Sequence, residues 1–167
     1  MTSIFSIDPG TTRSAWLRFD GEKPVAFGIA ANDVLVRALR TGGLPDVVVI
    51  EGVELYGPDV VVIEKIESYG MAVGAEVFET VFVSGQMAEA AHRVPVVLLP
   101  RRAVKLALCG DSRARDANIR QACIDRFGGS AATRKGGALH GVTKDVWSAL
   151  AIALAYMDGA RPMGVER

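Results

Sequence analysis

Cysteine is nearly absent from this chain of 167 residues. Cys109 and Cys123 lie far apart, and neither has a second Cys or a His at zinc-ligand spacing. That leaves no zinc module and no disulfide framework to read, and both thiols are expected to be reduced and largely buried. Long apolar runs are also missing. None reaches the roughly 18–20 residues that a membrane-spanning helix needs. The first residues lack the basic segment and long apolar core of a signal peptide, so the expected location is cytoplasmic. Linkers, low-complexity tracts and solenoid-type repeats are absent too, which gives the expectation of a single domain over residues 1–167. Net charge is zero. Taken alone, that speaks against a nucleic-acid partner.

The charges that are present are segregated. Residues 1–92 carry six Lys and Arg against 13 Asp and Glu, whereas residues 93–144 carry 11 against three. Either a basic surface is attached to an acidic body, or a charged face is simply solvated. Half of the residues are hydrophobic, enough for a sizeable core.

The order of elements points to a mixed α/β fold with a meander at one edge. Ser3 to Asp8, Ser14 to Phe19 and Pro24 to Ile29 read as strands, the last two joined by a hairpin-like link at 20–23. A helix is expected from Asn32, as N-cap, to Arg40, with Gly42-Gly43 as the stop. Two similar segments follow, Pro45 to Glu51 and Pro58 to Glu64. Each is a continuous apolar run ending in Glu, the pattern of a strand buried on both faces. Residues 65–84 read as irregular. Helix is expected from Ser84 through Ala91, strand from Val94 to Leu99, and helix again over Arg101–Leu108 and Asp116–Phe127. Gly128 to Gly141 reads as a basic, glycine-rich loop. A last helix is expected from about Thr143 to Met157, with Val146, Leu150, Ala153 and Leu154 at helical spacing.

Three acids stand out. Asp8 and Glu64 each end an apolar strand, and Asp145 lies in the first turn of the last helix. If they converge, they repel one another unless cations neutralise them. Oxygen-only ligands favour Mg²⁺ or Mn²⁺. Each also has a plainer role, as a turn residue, a solvated strand end and a favourable acid at a helix N-terminus. Glu51 competes with Glu64 because its strand is a near copy. His140, at the entrance to the last helix, is either a metal ligand or proton donor, or an ordinary loop histidine.

Ser6-Ile7-Asp8-Pro9-Gly10, Val62-Ile63-Glu64 and Asp145-Val146-Trp147-Ser148-Ala149-Leu150-Ala151-Ile152-Ala153 together resemble the three acidic motifs of RuvC-type Holliday junction resolvases. Ile66-Glu67-Ser68-Tyr69-Gly70-Met71, with Ala114-Arg115-Asp116-Ala117-Asn118-Ile119, is closest to the bacteriophage-type branch. The resemblance covers roughly residues 3–158. It implies an RNase H-like fold, a mixed central sheet flanked by helices. It also implies a homodimer and Mg²⁺-dependent endonuclease cleavage of branched DNA in a bacterial or phage-infected cell. On this likeness Asp8, Glu64 and Asp145 are metal-binding acids, with two ions per site, and Arg115 lies near the scissile phosphate. Glu64 is preferred to Glu51 because the Tyr69-Gly70-Met71 segment follows it directly. The chain departs from the cellular pattern at Ser148, where a second acid is usual. His140 is the candidate replacement ligand.

With that resemblance the basic half gains a role. Arg101, Arg102, Lys105, Arg113, Arg115, Arg120, Arg134 and Lys135 are candidate phosphate contacts. Tyr69 is a candidate stacking residue at the branch point, and Phe78 suits core packing or a dimer contact. Two other readings compete. Asp8-Pro9-Gly10-Thr11-Thr12 resembles the phosphate loop of actin-like ATPases and sugar kinases, which need a second large domain. A non-catalytic protein binding branched DNA on the same fold is the other.

Overall fold

The computed structural model describes residues 1–41 and 47–162, the side chains of 47–49 and 53–56 excepted. Three antiparallel strands come first: β1 (Ile4–Asp8), β2 (Arg13–Phe19) and β3 (Pro24–Ala31). After α1 (Asn32–Thr41) and a hairpin of β4 (Val47–Ile50) and β5 (Val53–Tyr56), the chain returns as β6 (Val60–Lys65). Helix α2 (Ala75–Ala90) then crosses over to β7 (Val96–Pro100). Three further helices complete the chain, α3 (Arg101–Cys109), α4 (Asp116–Arg126) and α5 (Val146–Met157), with a 3₁₀ turn at Gly129–Thr133. The main sheet runs β3-β2-β1-β6-β7. β1 pairs antiparallel with β2 and parallel with β6, and β7 pairs parallel with β6. Among the described residues, no helix is long and apolar enough to cross a membrane.

Each face of the sheet has its own core. Ile4, Leu17, Val60 and Val62 face α3, α4 and α5, while Phe5, Ile7, Trp16, Val61 and Ile63 face α1 and α2. The alternation in β2 therefore separates two cores rather than core from solvent, and of its seven residues only Arg13 is exposed. Helix α5 is buried from Val146 through Ala155 except at Ser148. A helix so apolar on all sides belongs inside a domain. Truncating a side chain such as Leu150 there costs about 2–5 kcal/mol.

Three expectations need correcting. The run ending in Glu51 is not a strand of the main sheet. Val47–Ile50 pairs antiparallel with Val53–Tyr56 in a separate two-stranded sheet. The turn between them is Glu51-Gly52, both at positive φ (49° and 84°), the geometry that favours a tight two-residue hairpin. Exposed Glu51 thus sits at a hairpin tip. Second, α2 begins nine residues before Ser84. Third, Asn32 does not serve as a helix cap. Its amide donates to the Gly10 and Thr11 carbonyls at 2.9 and 3.1 Å. The proposed stop at Gly42-Gly43 lies outside the described residues.

Candidate functional site

Strand register places the first two acids. Ile7 pairs with Ile63 across β1 and β6, and Asp8 and Glu64 are the next residue on each strand. Side chains alternate along a strand, so both carboxylates point to the face of Ser6 and Val62, which α5 covers. Buried Ser6 fixes α5 there, its Oγ donating to the Ala149 carbonyl at 2.7 Å. That hydrogen bond sets Ser148, the neighbour of Ala149, against Asp8.

The loop after Asp8 is held rigidly. The Gly10 N–H donates to Ser14 Oγ at 3.1 Å, and Ser14 Oγ donates to Asn32 Oδ1 at 2.6 Å. A Cβ at position 10 would overlap the Arg13 carbonyl oxygen, so the turn requires glycine. Asp8 is thereby fixed at the C-terminal end of the central strand β1 by packing and hydrogen bonds outside the site.

The electrostatics are those of crowded acids. Burial, chiefly, and then the neighbouring Glu64 push the Asp8 carboxyl up to about 7. The charge of Asp145 adds to this rise, while Arg101 and a hydrogen bond from Ser148 oppose it. Burial also raises Glu64, against the pull of Arg101. Asp145 sits at the N-terminal boundary of α5 in an exposed position, with no side-chain capping bond. Its side chain acts on Asp8 through charge.

Arg101 is central to the set. Its Nη1 donates to Glu64 Oε2 at 3.1 Å and to Ser148 Oγ at 3.2 Å, and its Nη2 to Asp116 Oδ1 at 2.7 Å. The sequence suggested a phosphate contact; in the structure the guanidinium is also held by acids, its side chain only 20% exposed. It lines two clefts. One, of about 870 Å³, also has Asp116, Arg120, Lys144, Asp145 and Ser148 on its walls. The other, of about 280 Å³, is lined by Tyr69, Arg102, Lys105 and Ser112.

Other candidates lie around this centre. Arg120 stacks on Trp147, with its guanidinium carbon 5.0 Å from the ring centroid. Arg102 reaches Glu67 at 3.8 Å and Arg113 pairs with Asp111 at 3.7 Å. Arg115, Arg134 and Lys135 are exposed, Arg115 at the head of α4 with its N–H on Asn118 Oδ1 at 3.0 Å. Tyr69 is half exposed and holds a positive φ of 51°, unusual for a residue other than glycine. His140 is exposed on the turn before Val142, and among the described residues its ring has no hydrogen bond or ion pair. The structure does not bring it into the acidic set.

The donors can be tested against a metal. Two adjacent carboxylates of raised proton affinity, with oxygen donors only, suit a hard divalent cation. Yet among the described residues, no three His, Cys, Asp or Glu side chains converge into a cage. Asp8 and Glu64 are the residues that would hold such an ion, with the charge of Asp145 acting on Asp8.

The sequence suggested core packing or a dimer contact for Phe78; core packing is excluded by its exposure, and the rest of the outer face of α2 was missed. Phe78 and Phe82 are 64% and 65% exposed, beside exposed Val81. Their spacing of three and four residues was the available signal.

No family model and no curated protein matches the chain. Solved structures do. The chain is similar to Thermus thermophilus RuvC, with a TM-score of 0.65, 18% identity and 93% of each chain covered. It is also similar to T. thermophilus RuvC in complex with a Holliday junction substrate, with a TM-score of 0.67, 19% identity and 96% of each chain covered. At such identities the likeness is one of fold. The mixed five-stranded sheet with flanking helices is the α/β, RNase H-like arrangement expected from the sequence.

Proposed function

We propose that this chain is a metal-dependent, structure-selective endonuclease that cuts branched DNA, with the four-way junction as its substrate. The observation that carries this reading is the adjacency of Asp8 and Glu64 at the C-terminal ends of two neighbouring inner strands, one residue beyond the Ile7–Ile63 pair. Two crowded, desolvated carboxylates cost stability unless a cation uses them. Asp8, Glu64 and Asp145 are the residues that would hold Mg²⁺ or Mn²⁺. When bound, such an ion supplies activation of water and charge stabilisation at a phosphodiester.

The remaining roles fall to side chains around the two clefts. Lys105, Arg102, Arg120 and Arg115 would hold phosphates, giving salt-dependent affinity without sequence information. Tyr69 stands over the smaller cleft, where a base displaced at a branch point would stack. We further propose a homodimer through α2, whose exposed Phe78, Val81 and Phe82 have no cover in the monomer. Two sites set apart by a dimer would match the two strands of a junction.

The test is cleavage of a synthetic four-way junction in Mg²⁺, against linear duplex, flaps and forks, with cut sites mapped. Paired symmetric nicks in the wild type, lost in Asp8→Asn, are expected. Equal cutting of linear duplex would overturn the junction reading. One observation favours a second reading, a protein that binds branched DNA without cutting it: Arg101 already pairs with Glu64 at 3.1 Å. Tight junction binding without cleavage in any divalent ion would establish that alternative. For an actin-like phosphate loop the geometry is unsuitable, since the Gly10 N–H is already taken by Ser14.

A further inference from the structure

We propose that the Arg101 guanidinium is a built-in cation of the acidic site, taking the place of a second divalent ion, so that each chain binds one metal ion. The inference rests on the endonuclease reading in one respect, that the acids hold a divalent cation at all.

The position of Arg101 is hard to explain otherwise. It is the first residue of α3, directly after Pro100, and no acid lies in that first turn. A basic residue at the positive end of a helix is unfavourable. Local rules of this kind are broken mainly where function requires it. Here strand register imposes the placement. Glu64 pairs with Leu99 and Lys65 with Pro100 across β6 and β7, so the residue after Pro100 begins beside Glu64. Its guanidinium then joins three elements, through Glu64 of β6, Ser148 of α5 and Asp116 of α4.

Ser148 complements it. A hydroxyl can accept a hydrogen bond from a guanidinium and donate one to a carboxylate. Ser148 Oγ accepts from Arg101 at 3.2 Å, and the same hydroxyl favours the ionised form of Asp8. The charges balance as well. Asp8, Glu64 and Asp145 carry at most three negative charges, which Arg101 and one divalent ion neutralise. A second divalent ion would leave positive charge in excess, since Asp116 is 80% exposed and largely solvated. An arginine stays charged at all accessible pH and offers five fixed donors. Its three contacts leave donors over, and its place on the walls of both clefts puts them in reach of a phosphate oxygen.

The experiment counts Mn²⁺ bound per chain, by electron paramagnetic resonance of the free ion or by calorimetry, without DNA. The wild type is expected to bind one ion. Arg101→Gln is expected to bind a second ion, or to hold the first at least about tenfold tighter, because a neighbouring positive charge has been removed. Arg101→Lys, which keeps the charge, should still bind one. Two ions in the wild type would overturn this inference and leave the endonuclease reading standing. Unchanged number and affinity in Arg101→Gln would do the same. No Mn²⁺ bound by the wild type would overturn the metal-dependent reading itself. The wild-type count decides the matter even where Arg101→Gln fails to fold, as judged by circular dichroism.

Discussion

Ser6 and Ala149 are 143 residues apart in sequence, yet the Ser6 hydroxyl donates to the Ala149 carbonyl at 2.7 Å in a fully buried setting. This bond sets the register of α5 against β1. Asp8 lies two residues along the same strand face, and Ser148 is the immediate neighbour of the acceptor. Ser6→Ala is expected to cost about 1 kcal/mol, the net worth of one buried hydrogen bond. Urea unfolding should show a lower midpoint with an unchanged slope. Junction cleavage should fall several-fold under conditions where the variant is fully folded. Cleavage equal to wild type would show that this bond serves stability only.

Asp8 makes stability depend on pH. Its carboxyl ionises at about 7 in the fold, against an ordinary value of 3.8. Between these values the folded chain retains a proton that the unfolded chain has lost. Stability must therefore fall as pH rises through this window, the full penalty being present above the folded value. A tenfold difference in proton affinity between the folded and unfolded chain is worth about 1.4 kcal/mol. Metal-free Asp8→Asn should exceed wild type at pH 8 by on the order of 2–4 kcal/mol, a difference that vanishes near pH 4. Divalent ions should reverse the order at pH 8 by stabilising wild type alone. Thermal melts across pH, with and without Mg²⁺, provide the check. A difference independent of pH would mean that Asp8 is not a crowded carboxylate.

Gly10 supports the same acid from behind. Gly10→Ala drives a Cβ against the Arg13 carbonyl oxygen and must displace the loop that Asn32 and Ser14 hold. A loss of about 1–3 kcal/mol is expected, the usual range for steric misfit. Ser14→Ala removes the bonds to Gly10 and Asn32 without the clash and should cost less. Chemical denaturation of both variants, measured together, gives the ranking. The reverse order would place the strain elsewhere.

Particular residues show how far the sequence could be read. Asp8 and Glu64 were legible because an apolar run that ends in an acid marks a strand end. Their adjacency was not, since parallel pairing of β1 with β6 depends on everything folded between them. Glu51 had the same local pattern, and its place at a hairpin tip, in a sheet separate from β1 and β6, is what separates it. The start of α2 was hidden for a physical reason. Its larger apolar residues, Phe78 and Phe82, face outward, while its buried residues are Ser84, Met87 and Ala90. Phe78, Val81 and Phe82 do form a stripe, but it lies on the face away from the small core-facing residues, so it does not mark which side packs on the sheet. Arg101 looked like one basic residue among many, and its company of Glu64, Ser148 and Asp116 is set by tertiary contacts alone. His140 was favoured for its nearness in sequence to Asp145. Its ring lies outside the hydrogen-bonded set, so His140→Ala should leave Mn²⁺ affinity unchanged by calorimetry, and a loss of affinity would return it to the site.

The outward face of α2 gives the last prediction. Phe78, Val81 and Phe82 recur at helical spacing and are exposed, with Met71 exposed just upstream at 72%. A contiguous apolar patch of this kind marks an interaction surface. Self-association through it would form a two-fold contact in which each stripe covers its copy. Sedimentation velocity should find a wild-type dimer at micromolar concentration. Phe78→Asp combined with Phe82→Asp should sediment as a folded monomer, because an aspartate at positions already exposed to water does not disturb the core. Such a two-fold arrangement would also set the distance between the paired sites proposed above. The monomeric variant should therefore retain Mn²⁺ binding and single nicks while losing paired cuts across a junction. A wild type that stays monomeric at all concentrations, or a double variant that still dimerises, would place the interface elsewhere or remove it.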